Sequence, residues 1–407
     1  MPTLGGTLLV WAVSGALSLA GALVCAELAS AFPRTGGVYV FLKETFSPAI
    51  GFLWGWAMFW SIHSGIIAAL SVVFGRHVGH FFPGSDPGGR GAAIAAILAL
   101  SAVNYAGVRH GSRLQTAFTA GKALAVLLII VLGFSLGSRL PRHFVSAAGA
   151  GPAPSLLQFG QALIAGLFAF GGWHMVTYTA GETRDPARTI PRALLAGSAL
   201  VTLAYGALNA AYLYVLPLEN VISSTRLAAD FADALLGAGG AAVMSGLVAF
   251  STFGALSGII LAGPRVYFSM AREGLLFHWA GEIHPRFGTP HQAIVLQAVW
   301  SSALVATGTY RQLFTRVIHT EWLFFGLLAL GLFRLRRRDG YAPRYRVWGY
   351  PVVPAVFLAA CLAIVLNQTI VDPLESASGL FLVALGLPVY YYWVRPRAGR
   401  RQNLGGH

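Results

Sequence analysis

Three features of this sequence could carry chemistry: a lysine, a glycine pair and a charged turn. Lys122 sits in Thr119–Ala120–Gly121–Lys122–Ala123–Leu124, inside an apolar stretch. An ammonium there is costly unless it pairs, meets water or snorkels to the headgroups. The stretch Ala165–Gly166–Leu167–Phe168–Ala169–Phe170–Gly171–Gly172–Trp173–His174 should break a helix in mid-membrane. Paired glycines withdraw helical support, and a break frees amides and carbonyls that lipid cannot satisfy. Such a break stands where protein or a polar cavity supplies partners, and transporters use the freed groups to hold a small charged solute. Close packing of helices through small residues is the competing reading. Beyond it, Gly181–Glu182–Thr183–Arg184–Asp185–Pro186–Ala187–Arg188–Thr189–Ile190–Pro191–Arg192 reads as a tight charged turn. Its acids and bases could brace a gate or simply fix topology, and Pro191 is expected in the first turn of the next helix.

Further along, Ser251, Thr252 and Ser257 lie on a small-residue helix that ends at Gly263–Pro264–Arg265. Their hydroxyls could line a solute path or bond to their own backbone. Enzyme signatures are missing from the sequence: it has no HExxH, no phosphate-binding glycine loop and no cysteine–histidine cluster at metal spacing. His319 and Glu321 sit two apart and cannot share a helix face, so no converging set of intramembrane polar groups is expected. No cofactor is implied.

The elements that position these residues follow from composition. The chain has 407 residues, 56% of them hydrophobic and 10% charged. Soluble domains carry roughly 25% charged residues, so a soluble enzyme, a disordered chain and a cysteine-stapled module are all excluded. Apolar stretches fall at 7–29, 48–74, 91–107, 115–137, 158–180, 190–215, 237–262, 291–308, 315–334, 350–370 and 376–394, giving eleven expected spans. Residues 34–48 read as a short interfacial helix. The first span lacks the basic leading region of a signal peptide.

The net charge of +14 does not mark a nucleic-acid binder, because the basic residues sit in gaps between spans. One set of alternate gaps holds most of them, including Arg34, Lys43, Arg109, Arg113, Arg184, Arg188, Arg192, Arg265, Arg336, Arg344, Arg395, Arg397, Arg400 and Arg401. The other holds only Arg76, Arg90, Arg139, Arg142, Arg226, Arg311 and Arg316. The rich set belongs in the cytoplasm, with the C-terminus inside and Met1 outside. Cys25 and Cys361 both fall in apolar stretches and read as small packing residues.

These residues together resemble amino-acid permeases of the amino acid–polyamine–organocation superfamily, nearest the L-type transporter branch. The resemblance rests on Cys25–Ala26–Glu27–Leu28 with Pro33–Arg34–Thr35–Gly36–Gly37, on the Phe168–His174 break and on the Gly181–Pro191 turn. Tyr267–Phe268–Ser269–Met270–Ala271–Arg272–Glu273–Gly274, followed by His284–Pro285–Arg286–Phe287–Gly288–Thr289–Pro290, completes it. It runs from residue 1 to about 394 and implies an all-α, polytopic, inverted-repeat fold. On that plan the chain is one transporter domain: 1–137 is the remainder of the first repeat, 158–334 the second, and 350–394 two additional helices.

The resemblance implies that the carbonyls of Phe168, Ala169 and Gly171, beside Gly172, accept a substrate ammonium, with Phe168 as an aromatic gate. Ser257 falls in the substrate site, and Lys122 takes the place that sodium occupies in coupled relatives. Phe170, Trp173, His174 and Glu182 would support the break or the gate, with His174 packing as a neutral histidine. The family's first helix has no counterpart, since the first span here matches the family's second. A start codon assigned downstream and a shortened, inactive chain both remain open.

The expected function is amino-acid transport by alternating access in the cell inner membrane, as sodium-independent exchange or facilitated or proton-linked uptake. A polyamine or cation permease and a non-transporting scaffold are the alternatives. Expected partners are the amino-acid substrate and the lipid bilayer, with no nucleic acid and no disulfide-linked subunit.

Overall fold

The apolar stretches become helices in the expected order. A computed structural model describes residues 4–82, 89–137, 155–224, 227–237, 239–307 and 310–394. Among these there is no β-strand. Met1, Arg139, Arg142, Arg226, Arg395, Arg397, Arg400 and Arg401 lie outside the described residues, as do the side chains of Arg109, Arg311 and Arg316.

The long helices are α1 (Leu4–Ala31), then, after a short α2 (Val38–Thr45), α3 (Pro48–Gly79), α4 (Arg90–Tyr105) and α5 (Val108–Leu136). Next come α6 (Leu156–Ala169), continued past a break by a 3₁₀ segment (Trp173–Glu182), and α7 (Pro186–Val215). Two short helices, α8 (Leu218–Ser223) and α9 (Leu227–Leu236), lead to α10 (Gly240–Ala262) and its continuation α11 (Pro264–Arg272). The chain then forms α12 (His291–Thr307), α13 (Tyr310–Leu335), α14 (Val352–Val371) and α15 (Pro373–Ala384). Each of the eleven expected spans is thus largely helical where described, and among the described residues eight helical runs, some of them broken or kinked, are long and apolar enough to cross a membrane. The short helix expected over 34–48 is α2.

Local chemistry sets several starts. Ser155 and Gln158 form a reciprocal capping box at α6, with amide-to-side-chain bonds of 3.2 and 3.0 Å. Ser47 caps α3 with Pro48 behind it. The expectation for Pro191 needs correction: Pro186 opens α7 and Pro191 lies inside it. Asp185, with a left-handed backbone, already turns the chain into the helix, so the proline that fills the first turn comes five residues earlier.

Three helix pairings organise the bundle. α1 packs along α7, α3 crosses α10, and α4 packs on α12. α10 also lies against α5, where a Cβ on Gly254 would come within 2.6 Å of Phe118, and one on Gly121 within 2.7 Å of Phe250. Small residues let these backbones approach, which is how helices bind in lipid without a hydrophobic driving force between them. A core of buried aromatic and aliphatic side chains, including Trp54, Tyr39, Tyr267 and Phe325, joins α1–α3, α11 and α13. Cys25 and Cys361 are buried in it, both as free thiols.

Two spans deviate from regular helix where they meet that core. α3 widens into a π-turn at Met58–Ile62, a local form common at functional sites. The α10–α11 span kinks at Gly263–Pro264, where proline has no amide for the carbonyl of Ile260. Gln297 from α12 donates to that carbonyl at 3.4 Å, and His63 from α3 reaches the neighbouring Ile259 carbonyl at 2.8 Å.

Candidate functional site

The fifth span breaks where the glycine pair stands. α6 ends at Ala169, and helical structure resumes at Trp173 in the tighter 3₁₀ form. Gly172 has φ +95°, a left-handed conformation that side-chain-bearing residues rarely adopt, and it interrupts the helix between the two halves of one span. The freed groups find partners within the protein. The Gly171 amide donates to the Phe168 carbonyl at 2.9 Å, and the Tyr205 hydroxyl of α7 donates to the Ala169 carbonyl at 3.0 Å. Two of the three carbonyls expected to receive an ammonium are therefore already engaged: that of Phe168 accepts from the Gly171 and Phe170 amides, and that of Ala169 accepts one bond and keeps a second lone pair.

A cavity of about 300 Å³ opens beside the break, lined by Ser18, Ala169, Phe170, Gly171, Trp173 and Tyr205 among others. Trp11 and Tyr205 pack their rings around Phe170 at 6.1 and 5.0 Å. Phe168 is half-buried and packs on both the α1–α3 core and the α3–α4–α10 core. Four of the expected residues, Phe168, Ala169, Phe170 and Gly171, are thus gathered at the break, with Gly172 and Trp173 forming its far side.

The other expected residues stand apart. Lys122 follows Gly121 on the α5 face that meets α10, and its ammonium makes no hydrogen bond or ion pair with a described residue. Ser257 is fully buried on α10, and its hydroxyl has no hydrogen-bond partner among the described residues. Thr252 bonds back to the Val248 carbonyl at 2.8 Å, the local option that competes with lining a path. Neither Lys122 nor Ser257 makes a hydrogen bond to the break.

The end of the bundle that carries the basic turn is laced by ion pairs. Arg265 makes a two-point bond to Glu182, at 2.9 and 3.0 Å, tying α11 to the end of the 3₁₀ segment. Arg344 meets Asp185 at 3.1 Å. On α2, Arg34 holds Glu44 at 2.7 Å and Lys43 holds Glu273 at 2.8 Å. Burial pushes the Glu44 carboxyl up, but Arg34 and Lys43 outweigh it and hold the group below its usual range. Tyr39 also donates to Glu273; burial and that carboxylate together push its hydroxyl pKa up. Glu27, fully buried at the foot of α1, accepts from Arg336 at 2.9 and 2.6 Å and from the Val347 amide at 2.6 Å. Above these links lies a vestibule of about 900 Å³, reached by Thr35, Arg113, Thr179, Glu182, Arg265 and Phe268.

One constellation was not expected. His174, placed one residue past the break, faces Glu321 of α13 with Nε2 and Oε1 3.5 Å apart, and both side chains are buried. Trp54, Tyr178 and Phe325 surround the imidazole with ring centroids at 6.0, 5.6 and 5.0 Å. His319 turns the other way, toward Thr369 at 3.2 Å. The spacing argument that separated His319 from Glu321 holds, but the two acidic and imidazole groups that do converge come from different helices.

A bundle of membrane-length helices with one span broken at a small cavity, and with ion pairs bracing one end, defines a polytopic membrane transport protein. The sequence profile of the amino acid permease family matches residues 2–390. The chain belongs to that family. It is 32% identical to the serine/threonine exchanger SteT of Bacillus subtilis over 94% of this chain and 87% of that protein. It is also 32% identical to the Asc-type amino acid transporter 1 of Mus musculus, over 96% of this chain and 75% of the relative. The cystine/glutamate transporter of Homo sapiens is 30% identical, over 96% and 79%. The family and these relatives are transporters, not enzymes.

Proposed function

We propose that this chain moves neutral amino acids across a cell membrane by sodium-independent exchange, through alternating access around the Ala169–Trp173 break. The observation that carries this reading is the break itself, with its unwound backbone opening onto a cavity between α1 and α7. Carbonyls there, at Phe168, Ala169 and Gly171, suit a substrate ammonium, and Phe168 and Phe170 cover it with apolar surface. No carboxylate lines the cavity among the described residues, which favours a zwitterion over a polyamine. Lys122 supplies a fixed ammonium on α5 in place of a metal ion, and Ser257 adds a hydroxyl to the substrate's surroundings.

An inverted repeat of residues 1–137 and 158–334 is supported by the packing. α1, α3 and α4 each lie against α7, α10 and α12, the members that would be their counterparts across a two-fold axis in the membrane plane. Residues 350–394 add two helices beside α13. The arginine-rich end, with Glu182–Arg265 as its brace, faces the cytoplasm of a plasma membrane, and no covalent chemistry or disulfide-linked partner is needed.

Proteoliposomes loaded with unlabelled L-serine and diluted into sodium-free buffer with labelled L-serine test the reading. Saturable label uptake that L-threonine or L-leucine competes is expected. Uptake absent for every neutral amino acid, or dependent on a sodium gradient, overturns it.

A further inference from the structure

We propose that His174 and Glu321 form a proton-binding site that holds the post-break segment of the fifth span against α13. The inference rests on the transport reading above and adds the ion that the substrate site does not explain. Four observations carry it. Both side chains are buried, with His174 at 0% and Glu321 at 3% relative exposure. Their nearest polar atoms are 3.5 Å apart, within ion-pair reach but longer than a well-formed hydrogen bond. Among the described residues, neither imidazole nitrogen has a hydrogen-bond partner, and neither does Glu321 Oε1. The two residues also sit on different elements that meet through aromatic rings: His174 stands two residues past the left-handed Gly172, Glu321 stands on α13, and Trp173 and His174 both pack on Phe325 of α13 at 5.0 Å.

The surroundings leave the pair to balance its own charge. His63 on α3 lies within electrostatic reach of His174; Glu321, Cys25 on α1 and Tyr267 on α11 lie within reach of Tyr178 on the same segment. Among the described residues neither member engages any other charged group, and no lysine or arginine pairs with either. His63 is committed to the Ile259 carbonyl, and His319 to Thr369. With one proton the pair is neutral, and burial without other hydrogen-bond partners favours imidazole with carboxylic acid over two separated charges. Losing that proton to water leaves one uncompensated carboxylate inside the bundle, which the protein relieves by drawing the two elements apart and admitting solvent. The contact is therefore stable below the pH at which the pair loses its proton and weakens above it. Proton release and segment movement become one event.

Two measurements on the full chain decide this. In the first, L-serine exchange in proteoliposomes is followed from about pH 5.5 to 8. The wild type is expected to change rate by up to about tenfold per pH unit, the limit for one linked proton, while Glu321→Gln stays within about twofold. In the second, infrared difference spectra of the detergent-solubilised protein follow the C=O stretch of a protonated carboxyl group. A band that grows on acidification in the wild type, vanishes in Glu321→Gln and shifts its midpoint in His174→Asn supports the site. A purely packing pair would leave the pH profile and the band unmoved by these substitutions, and that result overturns the proposal. If the wild type exchanges no neutral amino acid, the transport reading falls, while the infrared titration still decides the proton site. Should Glu321→Gln fail to fold, the wild type and His174→Asn spectra carry the test alone.

Discussion

Gly172 shows how a single residue type sets the site. Its φ of +95° requires either glycine or strain, while a Cβ there would meet only Met175 at 3.7 Å, an ordinary contact. Gly172→Ala therefore isolates backbone conformation from crowding. We expect a loss of about 1–2 kcal/mol of stability, read as a lowered midpoint in thermal unfolding, with a larger fall in exchange rate than in expression. The glycine pair was legible from sequence because its meaning is local: no neighbour is needed to know that two glycines weaken a helix. The partners of Phe168 and Ala169 were not, since the Tyr205 hydroxyl comes from a different span. His174 was the hardest to read, because its environment is built from α3, α13 and its own segment, none of which its neighbours in sequence announce.

At the scale of elements, the α5–α10 contact is the clearest case of composition becoming geometry. Gly121 and Gly254 present no side chain where Phe250 and Phe118 need space. Gly254→Leu would overfill that seam at a cost of about 1–3 kcal/mol, since the facing atoms are packed and have little room to give. A lower unfolding temperature with Lys122 displaced is expected, measured by thermal denaturation and by the rate of amine labelling at Lys122. The length of the apolar stretches revealed each span, yet the start of α7 was misassigned, because Pro186 and Pro191 are both plausible openers in sequence. The structure separates them through the left-handed turn at Asp185, a conformation set by the loop before it. Gly263–Pro264 read in sequence as the end of a helix, whereas the span continues past a kink there to Arg272, repaired by Gln297 and His63 from α12 and α3, which the local sequence does not announce.

Across the whole molecule, Glu27 ties the first described span to the segment that follows α13. It is fully buried and accepts from Arg336 twice and from the Val347 amide once. Replacing it by glutamine removes the charge and leaves the largely buried guanidinium without its counter-ion, at a cost of roughly 3 kcal/mol. Limited trypsinolysis should then cut faster at Arg337 and Arg338, and the unfolding midpoint should fall. Unchanged cleavage would show that the Arg336–Tyr350 ring contact, 4.0 Å from guanidinium carbon to ring centroid, is enough to hold that segment. The two cysteines bear on this scale as well. Buried thiols react slowly with external reagents, and Cys25 and Cys361 are both enclosed in the core. The native chain therefore already offers a quiet background for paired spin labels. Cysteines placed at exposed Arg188 and Arg286 would report, with no core residue altered, the distribution of distances across the ion-paired end. Adding or withdrawing an amino acid, or shifting the pH, would then be seen as motion in one molecule rather than inferred from flux.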